Sequence, residues 1–147
     1  MEPFRKILIA TDGSRSTEDA VDTGISIAKI TGAEVTALNV IDGPVLLSAP
    51  ADAEMVKLYA LLEMEGNAAV AHIKELGMNA GIKVTAKVMS GQPAKAILEE
   101  GEKHDLIVMG TLGRTGMAKI LIGSVAEKVI RLAKCPVMVV RSRGDDQ

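Results

Sequence analysis

Five short apolar runs rich in β-branched residues recur along the chain, each separated from the next by a longer stretch of helical periodicity. The runs are Lys6–Ala10 and residues 34–40, 83–89, 106–109 and Val137–Val140. Runs that are apolar on successive positions, rather than on alternate ones, belong to strands covered on both faces. A helix between every consecutive pair forces parallel neighbours, and right-handed crossovers then leave few topologies. The expected fold is α/β, a doubly wound five-stranded parallel sheet of order 3-2-1-4-5 with helices on both faces.

The helical stretches carry their own punctuation. Residues 17–30 place Ala20, Val21, Gly24, Ile25 and Ala28 on one stripe, with Ser16 as the expected N-cap and Gly32 as the stop. Residues 43–53, with Pro44 and Pro50, read as a loop. The long helix that follows has apolar positions at Met55, Leu58, Tyr59, Leu62, Ala69, Val70, Ile73 and Leu76, and is expected to end by Gly77 or Gly81. Pro93 suits the first turn of a third helix. The last helix should start near Ser124, turn Val125, Val129, Ile130 and Leu132 inward, and stop before Cys135-Pro136. The chain reads as one domain, residues 1–141, with a polar, frayed tail at 142–147.

Composition narrows the function classes. Of 147 residues 1% are aromatic, which removes the stacking surfaces that single-stranded nucleic-acid binders use. A net charge of -2 from 17 basic and 19 acidic residues gives no electrostatic footprint for nucleic acid or for an anionic membrane. The apolar run at residues 7–10 is too short for a signal peptide and no segment reaches membrane-spanning length, so a soluble cytoplasmic protein is expected. Cys135 stands alone, which excludes an intrachain disulfide and a cysteine zinc cluster.

In a sheet of this order ligands bind beyond the carboxyl ends of strands 1 and 4, where strand order reverses. Two loops meet there: Thr11-Asp12-Gly13-Ser14, and GTLGRTGMAKILIGS at residues 110–124. Twelve residues separate Gly110 from Gly123, against the usual connection of about 2–6 in such units. Gly110 and Gly113 let a ligand approach the backbone, and Gly123-Ser124 stands where free N–H groups of the last helix favour a phosphate. Arg114 and Lys119 add positive charge to the loop. On these features alone a glycine-rich turn without a ligand stays open, because neither GxxxxGK[ST] nor GxGxxG is present.

The spacing Gly110, two residues, Gly113, nine residues, Gly123-Ser124 resembles the G-x2-G-x9-G-[ST] signature of the universal stress protein family. KILIATDGS, LNVID, HDLIVMG and CPVMVVR fall where that family has its own versions, so the likeness covers nearly the whole chain. The resemblance implies a flavodoxin-like, adenine nucleotide alpha hydrolase-like sandwich and membership of the ATP-binding branch. It implies that Ala10, Thr11, Asp12 and Val40 hold adenine and ribose largely through backbone groups, with Gly110 near the ribose. Gly113, Arg114, Gly123, Ser124 and Val125 would line the phosphates, and Thr111 and Ala126 belong to the same set. Ala126 stands where members often carry a further hydroxyl, and Leu112 replaces a common His or Arg. Mg or Mn would arrive on the nucleotide. The family also pairs subunits through its last strand, which makes Val137–Val140 the expected homodimer edge.

Other residues invite chemistry with less support. Asp12 suits a ligand contact or a turn, and His72 and His104 lack metal-ligand spacing and are expected at the surface. Asp105 reads as the residue preceding strand 4, and Cys135 has no predicted base beside it. No Walker lysine, general base or SGGxDS loop is visible, so regulation by bound ATP is expected, with slow ATP hydrolysis as the alternative. A phosphoacceptor receiver would need an acidic pair after strand 1 and an Asp closing strand 3, where this chain has Asp12 and Met89-Ser90.

Overall fold

The computed structural model describes residues 3–43, 53–111 and 122–143. Five strands form one sheet: β1 (Lys6–Ala10), β2 (Glu34–Asp42), β3 (Val84–Gly91), β4 (Leu106–Gly110) and β5 (Val137–Val140). Their order is β3-β2-β1-β4-β5, and every neighbouring pair is parallel. The register is continuous from Lys6↔Glu34 to Ala10↔Leu38 and from Ile7↔Leu106 to Ile9↔Val108.

The apolar runs are continuous because the pleat sends alternate residues into two separate cores. Ile7, Ile9, Val35, Ala37 and Val108 face α1 (Glu18–Thr31) and α2 (Ala53–Asn79). Leu8, Ala10, Leu38, Ile107 and Met109 face α3 (Pro93–Gly101) and α4 (Ser124–Leu132). Ile7, Leu8 and Ile9 are fully buried, each contributing about 1.5–3 kcal/mol relative to an exposed side chain. Asp105 aligns the lower end of the sheet. Its Oδ2 accepts the Arg5 and Lys6 N–H groups at 3.0 Å, while its own N–H reaches Lys6 O at 2.8 Å.

Several expectations change. The stripe on α1 is buried as read, but Thr17 is its N-cap, because Ser16 lies within a 3-10 turn at Arg15–Thr17. Thr17 Oγ1 donates to Ser14 O at 2.9 Å, which tightens that turn and delays the helix. In α2 the buried line is Gly66, Val70, Ile73 and Gly77, spaced for one face, while Leu58 and Tyr59 are exposed. The helix ends at Asn79, before Gly81, one of its two expected stops; Gly77 lies inside it, where a Cβ would overlap Val84 Cγ2, so its glycine is needed for packing on β3. In α4 the buried residues are Ala126 and Val129, and Ile130 and Leu132 lie on the flanks of that stripe at 46% and 48% exposure. The start of the polar tail is held, because Arg143 N donates to Asp19 Oδ2 at 2.7 Å. The loop read at 43–53 lies, apart from its two ends, outside the described residues.

Candidate functional site

β1 has a neighbour on each side, and the chain leaves it toward β2 but re-enters beside it as β4. The connections after β1 and β4 therefore diverge onto opposite faces and open a crevice above their carboxyl ends. Ile9 pairs with Val108, so Ala10 stands level with Met109, one step short of Gly110.

The loop after β1 is closed by its own side chains. Thr11 N donates to Leu38 O at 2.9 Å, continuing the sheet pairing one residue past the strand. Each hydroxyl has one proton to give, which fixes the direction of the chain of bonds. Thr17 Oγ1 gives its proton to Ser14 O, so Thr11 Oγ1 donates to Thr17 Oγ1 at 3.1 Å and accepts from Gly13 N at 3.0 Å. Ser14 Oγ donates to Asp12 Oδ1, so Ser16 Oγ donates to Ser14 Oγ at 2.7 Å. Asp12 Oδ1 also accepts from Ser14 N at 2.9 Å, the Asx turn that its position suggested. The backbone of residues 11–14 is thus held from several directions. Asn39, which the sequence reading passed over, adds one more: its Nδ2 donates to Thr11 O at 3.0 Å from a site only 5% exposed. The available signal was a polar residue in the middle of an apolar strand, ALNVID.

The glycine segment contributes its two ends. Gly110 is buried at the end of β4, and Thr111 N continues the sheet to Val140 O at 3.2 Å. Gly123 N donates to Thr111 O at 2.6 Å, so residues twelve apart are clasped at the base of the segment. Gly123 is the N-cap of α4, extended at φ -73 and ψ 167, and no side chain caps it. Its carbonyl accepts the first helical bond from Glu127 N at 3.0 Å. The N–H groups of Ser124, Val125 and Ala126 precede that bond and have no intrahelical acceptor. Glu127, the acid of this first turn, is paired with Arg131 at 3.2 Å, which offsets its repulsion of an anion there.

Ala10 and Val40 share the α3–α4 side of the sheet with the start of α4, so Ala10, Val40, Gly110, Thr111, Gly123, Ser124 and Val125 gather at one end of one face. Thr11 and Asp12 follow Ala10 directly, just past the end of β1. Ala126 is 2% exposed, with its side chain in the core. Gly113, Arg114, Leu112 and Lys119 lie outside the described residues. On the opposite face a cleft of about 860 Å³ opens between α1 and α2, reaching from Thr11, Gly13 and Ser14 to Glu65 and His72.

His104, expected at the surface, is half-buried and held at both ring nitrogens. Its Nδ1 meets Glu100 O and its Nε2 meets Thr36 Oγ1, both at 2.8 Å. A carbonyl accepts only, so Nδ1 carries the proton. Beside it, buried Glu100 takes Lys87 Nζ on both oxygens at 3.2 and 3.1 Å. Cys135 is half-buried, and burial first, then the charge of Asp105, push its thiol above the ordinary value. No helix among the described residues is long and apolar enough to cross a membrane.

Comparison with known proteins gives a consistent result. The family model described as Universal stress protein family matches residues 3–141. Universal stress protein MJ0531 of Methanocaldococcus jannaschii is 43% identical over 94% of this chain and 82% of its own length. The solved structure of hypothetical protein MJ0577, a structural-genomics test case in structure-based assignment of biochemical function, has a TM-score of 0.81. It is 33% identical and covers 94% of this chain and 96% of that one. A universal stress protein solved in complex with cAMP has a TM-score of 0.70 at 25% identity, covering 95% and 98%.

Proposed function

The chain belongs to the universal stress protein family, and from that premise we propose that it is an ATP-binding regulatory protein of the branch that carries the glycine signature. The nucleotide lies between the loop after β1 and the glycine segment after β4. The observation that carries this reading is the clasp between Thr111 O and Gly123 N. It brings the end of β4 against the uncapped first turn of α4, so three backbone donors and the positive end of a helix face one crevice. The dipole alone contributes about 0.3–1 kcal/mol, so affinity comes from several N–H groups acting together, aided by the Ser124 hydroxyl and, as the family resemblance implies, by the charge of Arg114. Thr11, Asp12, Val40 and Ala10 hold adenine and ribose, chiefly by backbone, because the side chains of Thr11 and Asp12 are engaged within their own loop. The cAMP complex of a relative supports an adenine nucleotide in this fold. Mg or Mn is carried on the phosphates. Subunits pair through β5, a sheet edge of four half-buried apolar residues.

The test begins with denaturing the purified protein and identifying released nucleotide by chromatography, followed by calorimetric titration with Mg-ATP. An empty preparation with no heat of binding refutes the reading. Gly123→Val, which puts a branched side chain at the N-cap, should weaken ATP binding by tenfold or more while the far-UV circular dichroism spectrum is kept. Unchanged affinity in that variant removes the helix terminus as the phosphate site. Phosphate release over hours separates a binder from a slow hydrolase.

A further inference from the structure

The loop after β1 is anchored from beneath by a contact between β2 and α2 that no feature of the glycine segment explains. Asn39 is buried on the α1–α2 side of the sheet, and its amide nitrogen donates to Thr11 O at 3.0 Å. That acceptor fixes the amide orientation, since a carbonyl can only receive a proton. Directly above the amide, α2 presents Gly66. A Cβ at Gly66 would overlap Asn39 Oδ1, lie 3.0 Å from Asn39 Cγ and stand 3.4 Å from Val88 Cγ1. The helix closes over the amide only because that position has no side chain.

The described residues contain no cis peptide, so the Thr11–Asp12 peptide is trans and its C=O and N–H point in opposite directions. Pinning Thr11 O toward Asn39 therefore directs the Asp12 N–H away from β2, toward the side of the sheet where β4 and α4 begin the crevice. We infer that Asn39, held in place by Gly66, is a positioning residue that sets the Thr11–Asp12 peptide for nucleotide contact. The inference rests on the proposed nucleotide site for its consequence, but the peptide orientation is a property of the protein without nucleotide. Asn39 touches no ligand itself. It acts through the backbone of Thr11, whose N–H and hydroxyl are already held by Leu38, Thr17 and Gly13.

The experiment compares full-length wild type with Asn39→Leu, Gly66→Ala, Asn39→Ala and the double variant Asn39→Ala with Gly66→Ala. Leucine keeps the branched shape of asparagine and removes the donor. Alanine at 66 leaves Asn39 intact and displaces its amide. Three readouts are taken: the Asp12 amide resonance in nucleotide-free protein, the Kd for ATP by calorimetry, and the thermal midpoint. Expected is a displaced Asp12 amide signal in both Asn39→Leu and Gly66→Ala, with ATP binding about tenfold weaker, the worth of one hydrogen bond. In the Asn39→Ala background the extra methyl of Gly66→Ala has room, so the double variant should bind ATP no more weakly than Asn39→Ala alone. An Asp12 signal that stays in place overturns the inference, as does a displaced signal with ATP affinity within twofold of wild type. Should wild type take no ATP, the nucleotide reading falls, and the Asp12 resonance alone decides the positioning role. Should Asn39→Leu fail to fold, Gly66→Ala decides by the same readouts.

Discussion

Replacing Gly101 with alanine should destabilise the protein and leave its crevice untouched. Gly101 is the last residue of α3 and is buried against Ile107 of β4. A Cβ there would lie 2.6 Å from Cδ1 and 3.3 Å from Cγ1 of Ile107, which is 1% exposed and cannot swing aside. Carbon atoms prefer about 3.5–4.0 Å, so the strand or the helix must shift. Overpacking of this kind costs about 1–3 kcal/mol. Alanine returns up to about 1 kcal/mol of helix propensity, less at a helix end. The net loss is about 1–2 kcal/mol, a fall in melting temperature of about 3–6 °C for a domain of this size. Ile107→Val supplies the control, because it removes Cδ1 and leaves the contact at 3.3 Å, which a few tenths of an ångström of movement accommodates. Alone it should cost about 0.5–1.5 kcal/mol. In its background Gly101→Ala should cost less than about 0.5 kcal/mol, giving a coupling near the full penalty. Urea unfolding followed by far-UV circular dichroism measures all four corners, the chain having no Trp to report by fluorescence. An equal penalty in both backgrounds would show that the clash with Ile107 is not the cause.

Glu100→Gln should cost about 1–2 kcal/mol in the same assay, below the 3–5 of a fully buried pair because the Lys87 side chain is 38% exposed and reaches water; no change would mean the pair contributes nothing net. Cys135 should react with iodoacetamide at pH 8 more slowly than free cysteine, since its raised pKa leaves less thiolate, and the rate should climb as pH rises through the thiol range. Asp105→Asn should speed that reaction by removing the second cause of the shift, and a rate unmoved by the substitution refutes the charge effect. Met138→Lys places a charge on the β5 edge and should yield a monomer in sedimentation; a variant that sediments as a dimer rules that edge out as the interface.

β1 and β4 were legible because burial on both faces writes an unbroken apolar run, and Lys6–Ala10 and Val137–Val140 have the bounds read from the residues. Periodicity was less faithful at helix margins. Ile130 and Leu132 are apolar, yet which apolar residues of α4 turn inward depends on how the helix lies on the sheet. Gly77 looked like a stop because glycine is a poor helix former, and only the proximity of Val84 explains its place inside α2. His104 gave no sign of its second partner, since Thr36 is 68 positions away.

The same division runs through the crevice. The order of runs, the spacing Gly110, Gly113, Gly123-Ser124 and the family they resemble are properties of the sequence, because connection lengths and strand crossovers restrict which ends can meet. The clasp of Thr111 with Gly123 and the place of Asn39 beneath Thr11 were decided by tertiary structure. Hydrogen bonds act over about 3 Å, and residues 28 positions apart reach that range only once the sheet has registered and α2 has closed over Gly66.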